Sequence, residues 1–143
     1  MAAISTYLTF NGNTEEVFNF YKSVFGGEFT EIHKFNTMPP QEGMPPLSEE
    51  EGNRIMHVSF PIGTSMLFGS DTLSSHGEVN FGNNFSISIN GDSKEEADKL
   101  FNGLSAGGKI TMPMESTFWG AYFGMFTDKF GINWMINFDE VPQ

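Results

Sequence analysis

Apolar and polar positions along this chain follow two periods, and the order in which one gives way to the other occurs twice. Tyr7-Leu8-Thr9-Phe10 reads as a strand that runs into Asn11-Gly12-Asn13. Val17, Phe18, Tyr21, Val24 and Phe25 then fall at helical spacing. Further on, Asn83-Asn84-Phe85-Ser86-Ile87-Ser88-Ile89 runs into Asn90-Gly91-Asp92, and Ala97, Leu100, Phe101 and Leu104 repeat the helical stripe. An N-cap is predicted in both copies, at Asn13 and Asp92. Glu16 and Glu95 follow three residues later, where a carboxylate can reach back to the cap amide. Each predicted helix stops at a Gly pair, Gly26-Gly27 and Gly107-Gly108, because Gly just past a helix readily becomes left-handed. Positive φ is expected at Gly27 and Gly108.

The second half of each copy matches as well. Met56-His57-Val58-Ser59-Phe60 precedes Ile62-Gly63 and the apolar Met66-Leu67-Phe68. Gly124-Met125-Phe126 precedes Phe130-Gly131 and the apolar Trp134-Met135-Ile136. Two copies are too few for a solenoid; two βαβββ units of roughly 70 residues are the economical reading. The expected fold is α+β, with the two modules pairing as one pseudo-symmetric domain over 1–143. Module one spans about 1–68, a linking loop 69–83 and module two about 84–138.

The stretch Thr117-Phe118-Trp119-Gly120-Ala121-Tyr122-Phe123-Gly124, followed by Thr127-Asp128-Lys129-Phe130-Gly131-Ile132-Asn133-Trp134, reads as two strands joined by a tight turn at 128–131. It resembles the closing hairpin of the vicinal oxygen chelate superfamily, the glyoxalase and bleomycin-resistance fold, in its PhnB-like branch. Members of that branch often carry a demethylubiquinone methyltransferase-like label. The resemblance implies a central cup formed by the two modules, a homodimer, and in metal-dependent members four His or Glu side chains entering the cup. Carried onto this chain, those positions fall at Ser5, Leu67, Asn84 and Met135. None is a His or a carboxylate, and Leu67 and Met135 offer nothing to a hard divalent ion. No metal and no other cofactor is therefore expected.

The net charge of −11, with seven Lys plus Arg against 18 acids, argues against nucleic acid, which needs a basic footprint. No stretch approaches the ~20 apolar residues of a membrane span. No cleavable basic-apolar leader stands at the N-terminus, so a cytoplasmic location is expected. Cysteine is absent, which removes disulfides and thiolate ligands and is compatible with that compartment. Between Asn36 and Asn53, Pro39-Pro40, Pro45-Pro46 and Glu49-Glu50-Glu51 interrupt any ladder. This 37–53 segment reads equally as a mobile acidic loop or as a lid whose Met38 and Met44 cover a ligand or a partner. A second loop, Gly69 to Gly82, carries Asp71 and His76.

Few residues promise chemistry. His57 sits mid-strand, on one face with Ile55 and Ser59. A lone strand His is more often a hydrogen-bonded structural group than a base, yet it is the one weak catalytic candidate. No Ser-His-Asp order and no phosphate-binding Gly loop after a strand is present, and both Gly pairs lie at the wrong helix end for an anion. Methyl transfer from S-adenosylmethionine would ask for a doubly wound sheet with a Gly-rich loop after its first strand. Asn11-Gly12-Asn13 is too short for that. What remains is an aromatic and amide set: His57, Asn84, Phe118, Trp119, Tyr122 and Asn133. It suits a small planar or cationic ligand. Trp119 fits either a pocket or a dimer contact, and Trp134 fits the core. The reading is a metal-free small-molecule-binding module. The alternative is a glyoxalase/dioxygenase-type enzyme acting on a small metabolite, with His57 as acid or base.

Overall fold

The computed structural model describes residues 2–39, 42–43 and 45–140. Pro40 and Met44 of the 37–53 segment lie outside the described residues. The chain divides into two compact units, Met1–Asn80 and Phe81–Gln143.

In the first unit, strand β1 (Thr6–Phe10) leads to helix α1 (Thr14–Phe25), then β2 (Glu31–Lys34), a one-turn helix α2 (Glu49–Gly52), β3 (Ile55–Ile62) and β4 (Ser65–Asp71). The sheet order is β1-β4-β3-β2, with β1 parallel to β4 and the other pairs antiparallel. Leu8, Phe10, Val58, Phe60 and Leu67 are buried, as are Val17, Phe18 and Tyr21 of α1. A Cβ on Gly69 would come within 2.7 Å of the Phe18 ring, so this strand face lies directly under the helix. Residues one position away, Phe68 and Ser70, therefore stand on the opposite face.

Helix α1 starts differently from the sequence expectation. Asn13 occupies the N-cap position, but its side chain makes no capping bond. Asp71, at the end of β4, supplies the cap from 57 residues away. Its Oδ1 accepts from Gly12 N and Thr14 N at 3.0 Å each and from Thr14 Oγ1 at 2.6 Å, and Oδ2 accepts from Ile55 N at 2.8 Å. Asp71 is thus a buried strand residue, and β4 extends into the segment expected to begin the linking loop. The second part of the 37–53 segment is folded. Ser48 caps α2 by accepting from Glu51 N, and Glu51 accepts from both Ser74 N and Ser74 Oγ, which holds its carboxyl below the ordinary carboxylate value.

The second unit repeats the order with β5 (Ile87–Asn90), α3 (Lys94–Ser105), β6 (Lys109–Ser116), β7 (Ala121–Thr127) and β8 (Asn133–Asp139), in the sheet order β5-β8-β7-β6. Two βαβββ-like modules in an α+β fold are what the repeat predicted. The N-cap of α3 is Ser93 rather than Asp92. Ser93 Oγ accepts from Glu96 N, so the side-chain cap sits one residue beyond its expected place, and Glu96 Oε1 accepts from N–H of Asp92, the residue before the cap, at 2.8 Å. At the helix ends Gly27 has φ of 84°, as expected. Gly108 does not. Positive φ falls on Gly107 instead, and Gly108 is required because a Cβ there would meet the carbonyl oxygen of Thr127. The predicted β7–β8 hairpin is present in full register from Ala121↔Asp139 to Thr127↔Asn133. Its turn is built on buried Asp128, whose carboxylate accepts from Phe130 N, Ile132 N and Trp134 Nε1.

Candidate functional site

The face of the first sheet turned away from α1 carries Tyr7, His57, Ser59 and Phe68. Register aligns Tyr7 with Phe68, Phe68 with Ser59 and Ser59 with Glu31, and aligns His57 with His33. Partners across a ladder share a face, so these side chains form two adjacent rows. Tyr7, His57 and Phe68 pack as a triangle, with ring centroids 5.6 Å apart for His57–Phe68, 6.0 Å for Tyr7–His57 and 6.2 Å for Tyr7–Phe68. His57 Nε2 lies 2.9 Å from Ser59 Oγ. Tyr7 is 51% exposed, His57 and Phe68 are half-buried, and Ser59 is buried. The result is a cluster of near-parallel rings, inclined to one another by 27–36°, with one imidazole among them and an exposed ring at Tyr7. His57 and Ser59 share a face, as their spacing predicted, whereas Tyr7 and Phe68 were not singled out. Their signal was the strand alternation itself, which places every second residue of β1 and β4 beside the imidazole.

The remaining sequence candidates fall in three other places. Phe118 and Trp119 form the tip of the β6–β7 turn, 98% and 57% exposed, with their rings 5.0 Å apart and Trp119 6.4 Å from Phe123. Thr117 pins that turn, its N and Oγ1 both donating to Ala121 O, and Gly120 closes it at φ of 89°. Tyr122 faces α3, because its hydroxyl donates to Asp98 Oδ1 at 2.6 Å while Lys94 Nζ stands 4.5 Å from its ring centroid. Asn133 Oδ1 accepts from Thr127 Oγ1, and its Nδ2 donates to Gly82 O at 3.1 Å, so this amide ties the 82–85 segment to β8. Asn84 is exposed within that segment, ahead of β5. Trp134 is buried, as the core reading expected.

The four positions carried over from metal-dependent relatives lie two in each unit. Ser5 and Asn84 precede their strands. Leu67 is 3% exposed on the helix-packed face, whereas Met135 lies on the face away from α3, paired with Met125 and Ser88. In a strand the next residue reverses the face, so Phe68 stands on the side turned away from α1. Among the described residues no three His, Cys, Asp or Glu side chains gather as metal ligands. The Asn11-Gly12-Asn13 turn is occupied by the Asp71 carboxylate.

These modules define a vicinal oxygen chelate protein of the PhnB-like type. The chain belongs to the family described as 3-demethylubiquinone-9 3-methyltransferase, whose model matches residues 2–137. Protein YjdN of Escherichia coli (strain K12) is 33% identical over 139 residues, covering 94% of this chain and 93% of that protein. Protein PA1353 from Pseudomonas aeruginosa has a similar structure, with a TM-score of 0.82 and 38% identity over 97% of this chain and 98% of that one. The PhnB protein from Bacillus cereus follows at TM-score 0.74 and 27% identity, over 96% and 99% of the two chains. The fold extends to a glyoxalase/bleomycin resistance protein/dioxygenase family enzyme from Burkholderia phytofirmans PsJN, at TM-score 0.60 and 18% identity over 96% and 99%. Among the described residues no helix is long and apolar enough to cross a membrane.

Proposed function

We propose that this chain is a small-molecule-binding protein that works without a divalent metal and pairs as a homodimer. The observation that carries the reading is the Tyr7–His57–Phe68 triangle, a cluster of near-parallel rings on the face of the first sheet turned away from α1, with Tyr7 51% exposed. Such a cluster gains affinity by extending its stack with a flat ligand at the exposed Tyr7 ring, and the imidazole adds one directional hydrogen bond. No Lys or Arg belongs to the rows that hold Tyr7, Phe68, Ser59, His57, His33 and Glu31, whereas Glu31 adds a carboxylate. The ligand is therefore a neutral or cationic planar molecule. Titration of proflavine, a flat cation, against 8-anilinonaphthalene-1-sulfonate, a comparable anion, tests this by fluorescence polarisation. Proflavine should bind the more tightly, and Phe68→Ala should weaken it by about tenfold or more. Equal affinity for the two dyes, or no effect of Phe68→Ala on a folded variant, overturns the reading.

The 2.9 Å contact between His57 Nε2 and Ser59 Oγ favours a second reading, an enzyme with His57 as acid or base. Hydrolysis of p-nitrophenyl acetate above the buffer rate, lost in His57→Gln, is its expected signature. An unchanged rate in that variant removes it. Methyl transfer has no support in the residues, since neither sheet is doubly wound and the first strand–helix turn is filled by Asp71.

A further inference from the structure

The second sheet holds a feature that neither reading uses. Register places Met112 of β6 opposite Met125 of β7, and Met125 opposite Met135 of β8. Three methionines thus stand in one row across three adjacent strands. The face they share is the one turned away from α3. A Cβ on the neighbouring Gly124 would strike the Phe101 ring of α3 at 2.8 Å, so Met125, one residue on, points to the other side.

Met112 joins this row because β6 is irregular. Two residues apart in a regular strand, Met112 and Met114 would share a face. The register shift between Met112 and Glu115 separates them. Met114 Sδ turns toward the Gly124 position, 2.6 Å from where a Cβ would be, on the α3 side. Met112 remains on the side away from α3 and is 42% exposed, while Met125 and Met135 are half-buried.

Directly opposite side chains on a ladder have Cβ atoms about 5 Å apart, and methionine is long and unbranched. Three thioethers so spaced can converge over the central one. Thioether sulfur is a soft donor that selects copper(I) over the hard divalent ions. The chain has nine methionines and no cysteine, so its sulfur donors to a soft metal are all thioethers.

We propose that Met112, Met125 and Met135 form a binding site for a soft monovalent cation, copper(I) or its redox-stable analogue silver(I). The ion binds as the monovalent cation, no electron is transferred, and the three neutral ligands leave the complex with a single positive charge. Because a thioether carries no proton in this range, binding releases none. Affinity should therefore be constant between about pH 5 and 8, whereas a site built on His33 or His57 would weaken as imidazole becomes protonated.

The test is silver(I) titration of the full chain in chloride-free buffer, followed by the methionine methyl resonances and by mass spectrometry. One ion per chain is expected, moving the methyl signals of Met112, Met125 and Met135 and leaving that of Met114 in place. Met125→Leu and Met135→Leu, which keep side-chain volume, should each weaken binding by about tenfold or more, and Met114→Leu should not. Copper(I) held with ascorbate under argon should compete for the same site. Unmoved methyl signals at saturation, affinity that falls on acidification, or full affinity in Met125→Leu overturns the proposal.

Discussion

Two buried aspartates carry more of this structure than their number suggests. Asp71 accepts four hydrogen bonds and joins the start of α1 to the start of β3. Removing it strands buried backbone donors, each of which costs free energy when left unmade. Asp71→Ala should lower stability by on the order of 3 kcal/mol in a denaturant melt, whereas Asn13→Ala, at a cap position without a capping bond, should cost well under ~1 kcal/mol. The opposite ranking would mean that the local cap is the working one. The sequence did not show this, because a cap delivered from the end of another strand leaves no local spacing to read. Tyr122 makes a titration counterpart. The hydrogen bond to Asp98, then burial, then the charges of Asp98 and Glu140, raise its phenol above the ordinary 10.0. A raised folded value means that this contribution to stability is complete below about pH 10 and is lost as pH climbs through the folded value. Phenolate absorbance should show Tyr122 ionising at lower pH in Asp98→Asn than in the parent chain, and identical curves would remove Asp98 as the cause.

At the scale of elements, strand and helix order was legible and faces were less so. The two helical stripes, the repeat order and the β7–β8 hairpin follow from periodicity and turn residues that act over short distances. The second cap slipped from Asp92 to Ser93 because both side chains can cap and each has a Glu three residues on. The two Gly pairs looked alike but answer to different physics. Gly27 has φ of 84° with open space around the missing Cβ, whereas Gly108 is closed off by the backbone of Thr127 and Asp128. Gly27→Val should therefore cost about 1–2 kcal/mol from backbone conformation alone. Gly108→Ala should cost at least that much, since the contact is with backbone that a neighbouring side chain cannot relieve. Thermal melts showing Gly108→Ala to be neutral would contradict the close approach.

For the whole molecule, the question is what its exposed aromatics are for, and the two tryptophans separate packing from contact. Trp134 is buried with its indole N–H on Asp128, and the strand pattern around it was enough to place it in the core. Trp119 is 57% exposed on a turn whose geometry is held by Thr117 and Gly120, so its ring contributes little to folding. Its role was not legible because a turn-tip aromatic has no periodicity to assign it a face. Trp119→Ala should change stability by less than ~1 kcal/mol, as befits an exposed site away from caps and cavities. The remaining emission should come from a shielded Trp134, blue-shifted and poorly quenched by acrylamide. In the proposed homodimer, the adjacent Phe118 and Trp119, 98% and 57% exposed, offer an apolar pair to bury. The double variant Phe118→Ser with Trp119→Ser should then elute as a monomer while keeping the parent fold by circular dichroism. Elution as a dimer would move the interface elsewhere, and a large loss of stability in Trp119→Ala would return its ring to the core.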